Sequence, residues 1–167
     1  MRRPAAAEIL RDDGVTSAIL HGGTSTVHAI GSPPDAEFWK VAIERPVQDS
    51  ISPPPLLATV PLKDESLSVS AVWGRSFQNA DKTYGHVIDP RTGQPVETAL
   101  LAAVVLPSAT ETDALSTALL TLGAAGLPQI AALRPGNRCL VVSRKASQIE
   151  IESAGIEGLP QTSWQPT

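Results

Sequence analysis

The sequence predicts an α+β fold: a mixed or mostly antiparallel sheet with a few packed helices. Three observations lead there. Short strand-like apolar runs outnumber helical ones, and they do not alternate regularly with helices as a parallel βαβ chain requires. Helical patterning is confined to Ala5–Asp13, Thr110–Leu122 and Leu127–Leu133. The length, 167 residues with 42% apolar and 18% charged, suits one domain with its own core. That domain is expected over residues 1–157, with a flexible Pro/Gln/Ser/Thr-rich tail over 158–167.

The elements follow in order. Ala5–Asp13 reads as a helix stopped by Gly14. Val15–Leu20 and Ser25–Ile30 are strands separated by the break His21-Gly22-Gly23. After a proline-containing turn, Phe38–Ile43 is a further strand, and Arg45–Pro55 is a polar loop ending in three prolines. Leu56–Leu62 and Leu67–Val72 flank the charged turn Lys63-Asp64-Glu65, which has the pattern of a hairpin. Gly74–Thr83 is polar and expected to be loose, and Tyr84–Ile88 is expected to be a strand. Thr98–Leu106 is strongly apolar and strand-like. In Thr110–Leu122, Ala114, Leu115, Ala118, Leu119 and Leu122 form a stripe at helical spacing, closed by Gly123. Arg138–Ser143 and Gln148–Glu152 pair as a last hairpin.

Composition excludes several functions. A formal charge of −4 and a pI near 5.3 argue against a duplex-binding surface, which needs clustered Lys and Arg. No apolar run reaches the roughly 18 residues of a membrane span. Met1–Leu10 lacks the apolar region of a secretory signal, so the chain as written is expected to be cytoplasmic. Cys139 is the single cysteine, which rules out an intrachain disulfide and a cysteine-based zinc site.

Two stretches carry chemistry. The first is Tyr84–Val96, YGHVIDPRTGQPV. Asp89-Pro90 is a turn opening and Gly93 tolerates positive φ, so a plain tight loop accounts for the pattern. The same loop also holds His86, on one strand face with Ile88, and Arg91, a fixed cation suited to phosphate. The second is the helix start. Thr110 and Asp113 fit a T-x-x-D opening, in which Asp113 favours the helix dipole. Asp113 and Thr117 are also four residues apart, which stacks two oxygen ligands of the kind a hard cation such as Mg²⁺ accepts. The residues alone leave both readings open. His21-Gly22-Gly23-Thr24 is neither a P-loop nor a dinucleotide fingerprint. His28 reads as structural and without partners, and Trp39 and Trp73 as packing residues.

Taken with Ala5–Ser25, Trp39–Pro46 and Ser66–Phe77, the pair HVIDPRTG and DALSTAL resembles the FAD:protein FMN transferases, the ApbE-type flavin transferases. The resemblance spans roughly Ala5 to Ile151. It implies Mg²⁺-dependent cleavage of FAD, transfer of FMN to a Thr or Ser hydroxyl of a target flavoprotein subunit, and release of AMP. It implies Asp113 and Thr117 as Mg²⁺ ligands and His86 and Arg91 as catalytic residues. Gly22, Gly23, His86, Ile88, Asp89, Thr92 and Gly93 would contact the flavin cofactor. Thr24 stands where the family commonly has an acidic or amide residue. The family's N-terminal half has no counterpart in this sequence: it is expected to be a missing part of a longer chain, to be supplied by a separate chain, or to be replaced by a homodimer. The alternatives are a non-catalytic flavin-binding or interaction remnant, and a Mg²⁺-dependent FAD pyrophosphatase.

Overall fold

The computed structural model describes residues 6–46, 55–73, 76–79, 82–145 and 148–157. The strands are β1 (Ala18–Gly22), β2 (Thr26–Ile30), β3 (Trp39–Glu44), β4 (Leu56–Leu62), β5 (Ser66–Ala71), β6 (Ser76–Asn79), β7 (Lys82–Gly85), β8 (Ile88–Asp89), β9 (Gln94–Pro95), β10 (Ala99–Leu106), β11 (Arg138–Lys145) and β12 (Gln148–Ala154). The helices are α1 (Ala6–Asp12), α2 (Ala109–Leu122) and α3 (Leu127–Ala132), with a 3₁₀ turn over Ala124–Gly126. None of these helices is long and apolar enough to cross a membrane. Residues 47–54 of the predicted polar loop and the predicted tail from Gly158 lie outside the described residues.

Six strands form one sheet in the order β1-β2-β5-β10-β11-β12, and every pairing between named strands is antiparallel. This is the predicted fold class. β10 lies near the middle and is covered on both faces, which explains its unbroken apolar run ALLAAVVL. Leu101, Ala103 and Val105 face one core with Val27, Leu67, Leu140 and Val142. The β3–β4 ribbon closes that core with Ile43, Leu57, Val60 and Leu62. Ala102, Val104 and Leu106 face the other core, beneath Leu119 and Leu120 of α2 and Leu127 and Ile130 of α3. The result is three layers: helices, sheet and ribbon.

Four expectations are corrected. β4 and β5 do not form a hairpin: β4 pairs with β3, and β5 lies between β2 and β10. The Lys63-Asp64-Glu65 turn carries the chain from ribbon to sheet. Asp64 adopts φ 55°, and its carboxylate accepts from Gly31 N at 3.0 Å and from Arg11 at 2.9 Å, which holds its pKa below the ordinary value. Second, Gly74–Thr83 holds β6 and the start of β7, which pair with each other and run on to Gly85. Third, the strand expected over Tyr84–Ile88 is broken, with His86 at a bend between β7 and β8. Fourth, α2 is capped by Ser108, whose Oγ accepts from Glu111 N at 3.3 Å, so Asp113 lies in the second turn rather than the first. The last hairpin, β11–β12, forms as predicted.

The expected stripe on α2 is met in part: Leu119 is buried and Leu115, Ala118 and Leu122 pack against the helix-side core, but the buried face also takes in two hydroxyl residues. Thr112, Ser116, Leu119 and Leu120 are its buried residues, while Ala114 is exposed. The cause is β5. Its alternation sends Leu67 into the ribbon-side core, while Ser66 and Ser68, both fully buried, take the other face with Ser70. Buried hydroxyls are costly unless they bond one another. Here Ser68 meets Thr26 at 2.6 Å, Ser66 meets His28 Nδ1 at 2.8 Å, and Ser70 meets Ser116 at 2.8 Å. His28 therefore has a partner, contrary to expectation. Its Nε2 is buried with no hydrogen-bond partner.

Burial lowers the His28 pKa below 6.5, Arg11 adds to the effect, and Asp64 opposes it. The unfolded chain therefore binds this proton at higher pH than the folded one. The neutral imidazole's contribution is complete above the unfolded value and declines as pH drops through that value toward the folded pKa. We expect the melting temperature to fall between about pH 7 and pH 5.5, and to fall less in His28→Gln. Equal falls for both proteins would remove His28 as the cause.

Candidate functional site

The β1–β2 hairpin turns at Gly22-Gly23, where Gly23 takes φ 77°. A side chain there would meet nothing within 4 Å, so backbone conformation rather than space calls for glycine. β2 then pairs with β5 only over Thr26–His28, flanked by a bond from Ala29 N to Glu65 O at one end and from Val69 N to Ser25 O at the other, each 2.8 Å. Past that point the edge of β5 opens into a cleft of about 930 Å³. Thr24 and Ser25 wall one side, and Ala42–Arg45 of the ribbon another. Ser70, Ala71, Trp73, His86, Val87, Asp113 and Thr117 also line it.

The structure thus brings Asp113, Thr117 and His86 into one cavity. Asp113 Oδ1 lies 3.5 Å from Thr26 Oγ1. Thr117 Oγ1 donates to the Asp113 carbonyl at 3.2 Å and lies 3.1 Å from Ser70 Oγ. Ser116 Oγ donates to the same Asp113 carbonyl at 3.1 Å. Hydroxyls of this kind bonding back to the preceding turn continue to Thr121, which donates to Thr117 O at 2.9 Å.

The other predicted residues lie elsewhere. Gly22 and Gly23 do not line the cleft, although the two residues after them do. Ile88, Asp89, Arg91, Thr92 and Gly93 do not line it either. They build a self-closed turn. The Asp89 carbonyl accepts from Thr92 N at 3.2 Å and Gly93 N at 2.8 Å, with Gly93 at φ 69°. The Asp89 carboxylate takes Arg91 N at 2.9 Å and Arg91 Nη2 at 2.6 Å. These bonds lower the Asp89 pKa, the Arg91 side chain acting first and its backbone second, and they raise that of Arg91. Arg91 Nη2 also donates to Thr121 O at 3.2 Å, which ties the turn to the end of α2 where a cation suits the helix dipole. In this arrangement Arg91 is engaged by its own loop. Thr117 and Thr121 are four residues apart, so the tie sits about 6 Å further along the helix.

The donor set suits a hard cation. No cluster of three His, Cys, Asp or Glu side chains exists among the described residues. A cation here would rest on the Asp113 carboxylate and the Thr117 hydroxyl and fill its remaining positions from water or a ligand, as Mg²⁺ does. Sequence reasoning missed Ser70 and Arg45 and misread Trp73, which is 43% exposed and faces the cleft rather than packing in a core. The alternating hydroxyls of SLSVS were the available signal for Ser70.

Comparison with known proteins follows the same lines. The pattern of the ApbE family matches residues 4–141. The FAD:protein FMN transferase of Escherichia coli K12 is 29% identical over 118 residues, which cover 70% of this chain and 32% of the relative. That of Buchnera aphidicola is 28% identical over 141 residues, covering 83% and 40%. Among solved structures, the apo flavinyl transferase ApbE of Pseudomonas stutzeri superposes with a TM-score of 0.68 at 28% identity, covering 88% of this chain and 44% of that one. The ApbE protein of Thermotoga maritima gives 0.69 at 23% identity, covering 86% and 45%, a likeness of fold. The chain spans 32% of the Escherichia coli relative and under half of these two structures.

The hydroxyl contacts carry a measurable weight. Ser70→Ala should lower unfolding free energy by about 1 kcal/mol, since the buried Ser116 keeps its carbonyl acceptor but loses its cross-layer partner. Urea titration followed by circular dichroism checks this, and an unchanged midpoint would show that the contact is energetically idle.

Proposed function

The chain belongs to the ApbE family, and from that premise we propose that it forms the metal- and phosphate-binding part of a flavin-transfer site. The reaction would move FMN from FAD to a Thr or Ser hydroxyl of a target flavoprotein and release AMP. One observation carries the reading: Asp113, Thr117 and His86 line a single cleft. The hydroxyl oxygen of the target bonds to the phosphorus of the FMN half. The bond from that phosphorus to the bridging oxygen breaks, AMP departs with the oxygen, and the hydroxyl loses its proton.

Such phosphoryl chemistry depends on alignment and charge neutralisation more than on covalent help from the protein. Asp113 and Thr117 would hold Mg²⁺, which when bound would neutralise phosphate charge. His86, at its bend beside the cleft, would orient the attacking hydroxyl and accept its proton. Ser70 and Thr26 would steady the two metal-holding side chains through the contacts described. The remaining walls would come from a further segment or a second copy of the chain.

The test is incubation with FAD, Mg²⁺ and a flavoprotein carrying the acceptor hydroxyl, read as protein-bound flavin fluorescence in a denaturing gel. Labelled target is expected with the wild-type chain and none with Asp113→Ala. Undiminished labelling by that variant at low Mg²⁺ would defeat the metal assignment. AMP with free FMN would identify a pyrophosphatase, and neither product would identify a binding domain without catalysis.

A further inference from the structure

Among the described residues, those lining the cleft include two carboxylates, Glu44 and Asp113, and one Lys or Arg, Arg45. Among the described residues, an anionic ligand entering the cleft therefore meets one permanent cation, Arg45. Arg45 is held for that role. The β3–β4 ladder shifts register between Ile43 and Glu44, an irregularity of the kind that re-aims neighbouring side chains. Directly beyond it, Arg45 N donates to Pro55 O at 2.8 Å, and Arg45 Nε donates to Leu56 O at 3.0 Å. The Nε bond uses one of five guanidinium N–H groups and leaves the terminal fork to a ligand.

Charge pairing separates Arg45 from four of the other described arginines, and Arg144, which also lacks a carboxylate pair, does not line the cleft. Among the described residues Arg11, Arg91, Arg134 and Arg138 each pair with a carboxylate at 2.6–2.9 Å, and Arg45 forms no such pair. Its position is fixed by uncharged carbonyls, which orient the guanidinium without neutralising it. A planar fork of this kind matches two phosphate oxygens.

We propose that Arg45 is the phosphate anchor of the cleft and makes it select phosphorylated over unphosphorylated flavins. This rests on the flavin-transfer reading and adds a specificity residue to it. The side chain grips a non-reacting or leaving phosphate oxygen while Asp113 and Thr117 face the cavity from the helix side. Arg91, the arginine that the sequence pattern favours, stays with its own turn.

Three probes test this on the full chain: inorganic pyrophosphate, FAD and riboflavin, each titrated by calorimetry in the presence of Mg²⁺. Arg45→Gln should weaken pyrophosphate and FAD about tenfold, the scale of a charge-assisted hydrogen bond at a partly exposed site, and leave riboflavin unchanged. Arg45→Lys should keep part of the affinity, Arg144→Gln should match wild type, and thermal melts verify folding. Unchanged pyrophosphate and FAD affinity in Arg45→Gln, or an equal loss for riboflavin, would overturn the proposal. Arg45-dependent pyrophosphate binding with no flavin binding would uphold the anion site and reject the flavin reading. A wild-type chain that binds none of the three overturns both.

Discussion

The contact between α2 and β5 is made by oxygen atoms, and the site is built on it. Most sheet–helix seams exclude water by burying aliphatic side chains. Here that role falls to the β10 and β11 side of the sheet, while the β2 and β5 side meets the helix through oxygens, Ser70 with Ser116 and Thr117 and Thr26 with Asp113. The contacts of Ser70 with Ser116 at 2.8 Å and with Thr117 at 3.1 Å allow close approach and restrict rotation of the helix about its axis, because each has a directional requirement. A rotated helix would leave Ser116 buried without its partner and would carry Asp113 away from the hairpin. An apolar seam tolerates such slippage more easily, since dispersion has little directional preference.

The loop that bears the most recognisable motif works mainly as a fastener. Asp89, Arg91, Thr92 and Gly93 satisfy one another and bind the end of α2, while His86, just before them, reaches the cleft. This explains how a Pro/Gly turn and a helix far along the chain belong to one site without every motif residue touching it. The turn sets where the His86 bend lies relative to the helix.

The parts of the fold legible in the sequence are those with a strong period. The Thr98–Leu106 run, the span of α2 and the last hairpin fall within a few residues of expectation. The spacing of Asp113 and Thr117 was likewise readable, because helix geometry fixes which side chains stack. Pairing between strands was not. A charged turn between two apolar runs looks the same whether it closes a hairpin or passes between layers, and only the tertiary acceptors at Asp64 decide. The buried face of α2 was legible only in part, because Thr112 and Ser116 count as polar in any periodicity, yet both are buried, Thr112 bonding to Ala109 O and Ser116 meeting Ser70 across the seam. The S-x-x-E of Ser108 and Glu111 was an available cap signal that Thr110 and Asp113 obscured. Arg45 belongs to no motif, and its orientation depends on a ladder irregularity that has no sequence signature.

The main-chain oxygen of Asp113 receives two side-chain donors, from Ser116 and Thr117. A carbonyl oxygen has two lone pairs, so this one has no coordination capacity left. Any ion recruited at this turn must be reached by the carboxylate across its own rotatable bonds. Its distance from the helix axis is then a matter of side-chain rotamer, and the site can adjust to ions of different radius without disturbing the backbone.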